Sequence, residues 1–138
     1  MLHYLIERKY QKSIFHHTKE HTTYDLQNLL GTGSYGTAWL MQHRENGKRA
    51  VLKYLRPKHR NKERNKQRFL QEIRFLREIS HPAVPFVHLD GQVGKIPYYI
   101  MDYVEGITFE QAIFQERRKF TVGDALHYGK LLLMIVID

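Results

Sequence analysis

The chain has 138 residues, 42% hydrophobic and 26% charged, which fits one compact soluble unit with a single core and argues against wholesale disorder. Its longest apolar run, residues 131–137, is seven residues long, against about 20 needed to span a bilayer, and Glu7, Arg8 and Lys9 leave no room for the apolar region of a secretory signal. The absence of cysteine excludes disulfides, thiolate metal sites and cysteine nucleophiles, and a cytoplasmic location is the expectation. Residues 1–23 read as an N-terminal extension with little core of its own. Residues 24–30 and 37–41 read as strands joined through Gly31-Thr-Gly-Ser-Tyr-Gly36, and Asn46-Gly47 predicts a hairpin into a third strand over 49–55. Phe69, Leu70, Ile73, Leu76 and Ile79 recur at helical spacing and predict a helix over 61–79, stopped by His81-Pro82. Strands over 86–90 and 96–104 flank a glycine-bearing tip, and capping threonines at 108 and 121 predict helices over 109–118 and 121–138.

The net charge of +8 is concentrated in the middle of the chain. Residues 1–43 carry 4 basic and 3 acidic side chains, residues 44–78 carry 13 and 4, and residues 79–138 carry 5 and 7. Between Arg56 and Arg68 a basic residue occupies every second position, with Glu63 the sole acid. Such a run reads first as a solvated face and second as a patch for a polyanion: nucleic acid, acidic lipid or acidic protein.

The sharpest chemical signal is Gly31-x-Gly33-x-x-Gly36 between two strands, where missing side chains let backbone N–H groups approach a phosphate. A dinucleotide-binding fold would open a helix after that motif, and a Walker A loop would place a lysine there; Thr37-Ala38 on a strand satisfies neither. Lys53 lies across one hairpin, flanked by Ala50, Val51 and Leu52. A lysine buried on a sheet face requires a compensating anion. Stepping about 100° per residue from Phe69, Ile73, Leu76 and Glu72 all fall within about 60° of it, while Glu63 and Glu78 fall about 120° and 180° away. Glu72 is therefore the acid on the apolar stripe, and a Lys53–Glu72 pair is expected.

With these features residues 24–138 resemble the N-terminal lobe of a Hanks-type serine/threonine protein kinase, continuing into the family's αE helix. The resemblance implies an α+β fold: a five-stranded antiparallel sheet with one packed helix, the family's αC, over residues 24–104, followed by the hinge exit and first helices of a truncated C-lobe over 105–138. It implies ATP as cofactor, with Gly31, Thr32, Gly33, Ser34 and Gly36 over the phosphates, Lys53 on the α and β phosphates, and Glu72 orienting Lys53. Ala38 and Val51 would line the adenine pocket, Met101 would sit at the gatekeeper position, and Asp102, Tyr103 and Val104 would form the hinge whose backbone hydrogen-bonds adenine. Ala38 stands where the family favours valine and Val51 where it favours alanine. The family also uses Mg²⁺ and a protein substrate, but its His-Arg-Asp and Asp-Phe-Gly motifs do not occur in these residues, so no metal ligand or base is assigned. The expectation is an ATP-binding portion of a kinase that is inactive as it stands. The alternatives are a non-catalytic binding module and a small-molecule kinase of the same fold. No pattern sets an oligomeric state.

One competing motif is His17-Thr-Lys-Glu-His21, which has the His-x-x-Glu-His spacing of certain zinc proteases. No third ligand is placed, so His16, His17 and His21 read as solvated tail residues. Trp39, Tyr98 and Tyr99 read as sheet packing.

Overall fold

The computed structural model describes residues 2–33, 35–78 and 85–103. They form α1 (Leu2–His21), β1 (Tyr24–Thr32), β2 (Gly36–His43), β3 (Arg49–Leu55), a single 3-10 turn (Pro57–His59), α2 (Glu63–Glu78), β4 (Val87–Val93) and β5 (Ile96–Asp102). The strands make one antiparallel sheet in the order β1-β2-β3-β5-β4. The expected strands all form, and their observed ends differ by a few residues. The expected helices over 109–118 and 121–138 lie outside the described residues.

Burial explains the layering. In β3 every residue from Ala50 to Leu55 is buried, and in β5 every residue from Ile96 to Met101, so these central strands are covered on both faces. On one face lies α2, whose Phe69, Glu72, Ile73 and Leu76 are buried. On the other lies α1, with Tyr10 edge-on to Tyr54 at 4.9 Å between ring centroids.

That second helix corrects the reading of residues 1–23 as a tail with little core of its own. Tyr10, Ile14 and Thr18 form a buried stripe at a spacing of four, and full burial of Ile14 alone contributes about 2 kcal/mol. The helix ends where Thr22 donates its hydroxyl to the Thr18 carbonyl at 2.6 Å, satisfying an acceptor left without an intrahelical partner.

Two local expectations shift. The Asn46-Gly47 hairpin forms, but Gly47 alone takes a positive φ, 71°, while Asn46 does not. The Gly47 amide donates to the His43 carbonyl at 3.0 Å, so a wider turn replaces the two-residue one. The second helix starts at Glu63 rather than 61, because Pro57 opens a 3-10 turn first and Glu63 puts a carboxylate in the opening helical turn of an otherwise basic stretch.

Candidate functional site

Lys53 sits at the centre of the sheet, with Ala38 directly opposite on β2 and Tyr99 directly opposite on β5. Directly opposite residues share a face and successive ones alternate, so Gly36, Ala38, Val51, Lys53, Tyr99 and Met101 all belong to the face that α2 covers. Lys53 is 5% exposed and Glu72 1%. The Lys53 ammonium donates to Glu72 Oε1 at 2.8 Å, and the Tyr99 hydroxyl donates to the same oxygen at 2.7 Å. Two donors on one carboxylate oxygen hold Glu72 to one orientation, and Glu72 in turn holds the ammonium. The Phe69 ring packs against Tyr99 at 5.5 Å between centroids, tying the cluster to the helix core.

The glycine segment bridges β1 and β2. Gly31, Thr32 and Gly33 are exposed and Gly36 is buried; Ser34 lies outside the described residues. The Gly33 amide donates to the Gly36 carbonyl at 2.9 Å, closing the tip. A Cβ on Gly36 would stand 2.8 Å from Lys53 Cε and 3.3 Å from the Tyr54 carbonyl oxygen. Glycine at 36 is therefore what lets the lysine stem pass against the loop.

Tyr35, within the glycine segment, reaches across to α2. Its hydroxyl donates to Asn65 Oδ1 at 2.8 Å, Asn65 meets His59 Nδ1 at 2.9 Å, and the Arg68 guanidinium lies 4.5 Å from the Tyr35 ring centroid. An open groove of about 650 Å³ runs beside it, lined by Tyr35, Arg64, Asn65, Gln67, Arg68, Gln71 and Arg74. This groove lies along the flank of α2, not on the Lys53 face.

At the end of β5, Met101 is buried and Asp102 half-buried. The Asp102 amide donates to the Phe86 carbonyl at 3.0 Å, and its carboxylate meets His88. Val104 lies outside the described residues. Sequence reasoning missed Tyr99 and Tyr35 as site residues. Pairing Tyr99 with Glu72 required the β3–β5 register, and no spacing signals the contact of Tyr35 with Asn65.

His16, His17 and His21 do not assemble a metal site with one another or with other described residues. The His17 and His21 rings lie 4.6 Å apart between centroids, tilted by 43°, and no group of three potential ligands occurs among the described residues. His17 is not the solvated side chain expected: it is partly buried and a ring nitrogen lies 3.2 Å from the Tyr98 hydroxyl. Burial and the neighbouring His21 push its pKa below the ordinary imidazole value.

Comparison with known proteins agrees with this arrangement. A sequence profile of the protein kinase domain matches residues 24–134. The chain is similar to the probable serine/threonine-protein kinase YbdM of Bacillus subtilis, 38% identical over 82% of this chain and 44% of that protein. It is 28% identical to a RAC family serine/threonine-protein kinase homolog of Dictyostelium discoideum, over 80% of this chain and 25% of the relative. Among solved structures the PknI kinase domain of Mycobacterium tuberculosis superposes with a TM-score of 0.51 at 28% identity, covering 68% of this chain and 38% of that one. The chain thus spans less than half the length of these relatives. With a five-stranded sheet, a Lys53–Glu72 pair and a profile match over residues 24–134, the chain belongs to the protein kinase family, as an N-terminal part of a Hanks-type serine/threonine kinase domain.

Proposed function

We propose that this chain holds ATP on the Lys53 face of its sheet and forms the nucleotide-binding part of a serine/threonine protein kinase that phosphorylates protein hydroxyls. The observation that carries the reading is the buried cluster in which Glu72 accepts from both Lys53 and Tyr99 beneath a glycine at position 36. A buried ammonium is the kind of charged donor that phosphate oxygens accept from. The residues fit the nucleotide: glycine at 36 lets the Lys53 stem pass close beneath the loop, and Ala38, Val51 and Met101 supply an apolar surface on the same face for a flat base. Asp102 and Val104 would offer hinge backbone to the adenine edge, and Gly31, Thr32, Gly33 and Ser34 would cover the phosphates.

ATP would supply the phosphoryl group, and Mg²⁺ would neutralise charge on its oxygens. The part of Lys53 is to bind and orient the phosphates, and that of Glu72 is to keep the ammonium charged and aimed. No residue of these 138 is given the role of base or metal ligand, so this chain by itself is expected to bind nucleotide without transferring phosphate.

Calorimetric titration with ATP tests the reading. The wild-type chain should bind, and Lys53→Met should weaken binding at least about tenfold, the loss of a charge-assisted phosphate contact. Equal affinity in the two proteins would overturn it. Incubated with radiolabelled ATP and a generic protein substrate, the chain should transfer no more label than a Lys53→Ala control.

A further inference from the structure

The glycine segment is held from outside the nucleotide face by Arg56, the residue immediately after β3. The Arg56 amide donates to the Tyr35 carbonyl at 2.7 Å, and its guanidinium Nη1 donates to the Gly33 carbonyl at 3.1 Å. One residue thus grips the loop through backbone and side chain at two points. The other edge of the guanidinium faces α1. Arg56 Nε lies 2.6 Å and Nη2 2.5 Å from Glu7 Oε1, with both side chains half-buried, at 19% and 29% exposure. The planar fork explains the choice of residue: Nε and Nη2 engage the carboxylate while Nη1 remains directed at Gly33, and a lysine has one nitrogen for both tasks. Glu7 is carried by a helix that docks through Tyr10, Ile14 and Thr18 on the sheet face opposite Lys53.

We propose that Arg56 is a positioning residue for the glycine loop and that α1 is a built-in regulator of the nucleotide site, acting through Glu7. With α1 docked, Glu7 aligns the guanidinium, the Gly33 carbonyl is held, and the planarity of its peptide fixes the orientation of the loop backbone. Undocking α1, through a partner that takes its exposed Leu2, Leu5 and Phe15, releases Arg56 and loosens the loop. The consequence for ATP rests on the nucleotide-binding reading above; the coupling between α1 and the loop does not.

Hydrogen exchange of the full chain without nucleotide, read on peptides covering residues 31–36, separates the two. Glu7→Gln and Arg56→Lys should each speed exchange in the loop about tenfold, the loss of one hydrogen bond to a charged group, while β3 and β5 keep wild-type protection. ATP affinity should fall in the same two variants, because binding must then order a looser loop. Wild-type loop protection in Glu7→Gln would overturn the role of α1, and wild-type protection in Arg56→Lys would overturn that of the fork. Faster exchange spread equally over β3 and β5 would mark general destabilisation and also overturn the proposal. If the wild-type chain binds no ATP while its loop still responds to Glu7→Gln, the nucleotide reading fails and the α1–loop coupling stands.

Discussion

At the scale of single residues, the chemistry rests on a charge taken out of water. Lys53 and Glu72 are both almost fully buried, and each charge is tolerated because the other is 2.8 Å away. Removing one partner leaves an uncompensated buried charge, and Lys53→Met alone should cost about 3 kcal/mol in denaturant unfolding. The neutral change Glu72→Gln should likewise destabilise, since the buried ammonium persists. The double variant should cost clearly less than the sum, because it buries no lone charge. Additive losses would show that the two groups are stabilised by separate surroundings. Tyr99, donating to the same oxygen, is a second donor that should still hold the carboxylate when the ammonium is replaced.

At the scale of elements, α1 and α2 cover opposite faces of one sheet, and each communicates with it through polar side chains as well as apolar ones. For α1 one polar link, besides Glu7 with Arg56, is His17 against Tyr98. Burial first, and then the positive field of His21, favours neutral His17 in the fold. A histidine whose folded pKa lies below its unfolded value binds fewer protons when folded, so stability rises with pH between those two values. The contribution is complete above the ordinary imidazole value of 6.5 and is lost as the pH falls below it toward the depressed folded value. Thermal midpoints of wild type should fall on acidification across that window more than those of His17→Gln. Parallel curves would assign the pH dependence to other groups.

At the scale of the whole molecule, the basic run is less available than its composition suggests. Arg56 is committed to Glu7 and Gly33, Arg60 donates to the Pro57 carbonyl, and Arg68 lies over Tyr35. That leaves Lys58, Lys62, Arg64 and Lys66 for a polyanion, so binding to duplex DNA should lose affinity with salt on a double-logarithmic slope no steeper than about −4. A slope near that expected for all seven basic residues would mean that the internal contacts open on binding. Among the described residues no helix is long and apolar enough to cross a membrane, so these charges flank no span there.

Much of this arrangement was legible along the chain, because local periodicity and glycine placement are local properties. The five strands, α2, the glycine segment and the face of Glu72 follow from residue order alone, since helical phase relates Glu72 to Phe69 without knowledge of anything else. What the order could not show was contact between distant segments. Helix α1 escaped notice because its buried stripe is partly polar, with Tyr10 and Thr18, while Leu2, Leu5 and Phe15 face solvent and scatter the apolar pattern. Tyr99 became a partner of Glu72 only through the β3–β5 register, Tyr35 met Asn65 only through the packing of the loop on α2, and Arg56 met Glu7 only because α1 docks on the far face. Each of these joins residues at least 27 positions apart in the chain, where long-range packing decides the neighbour and sequence spacing carries no record of it.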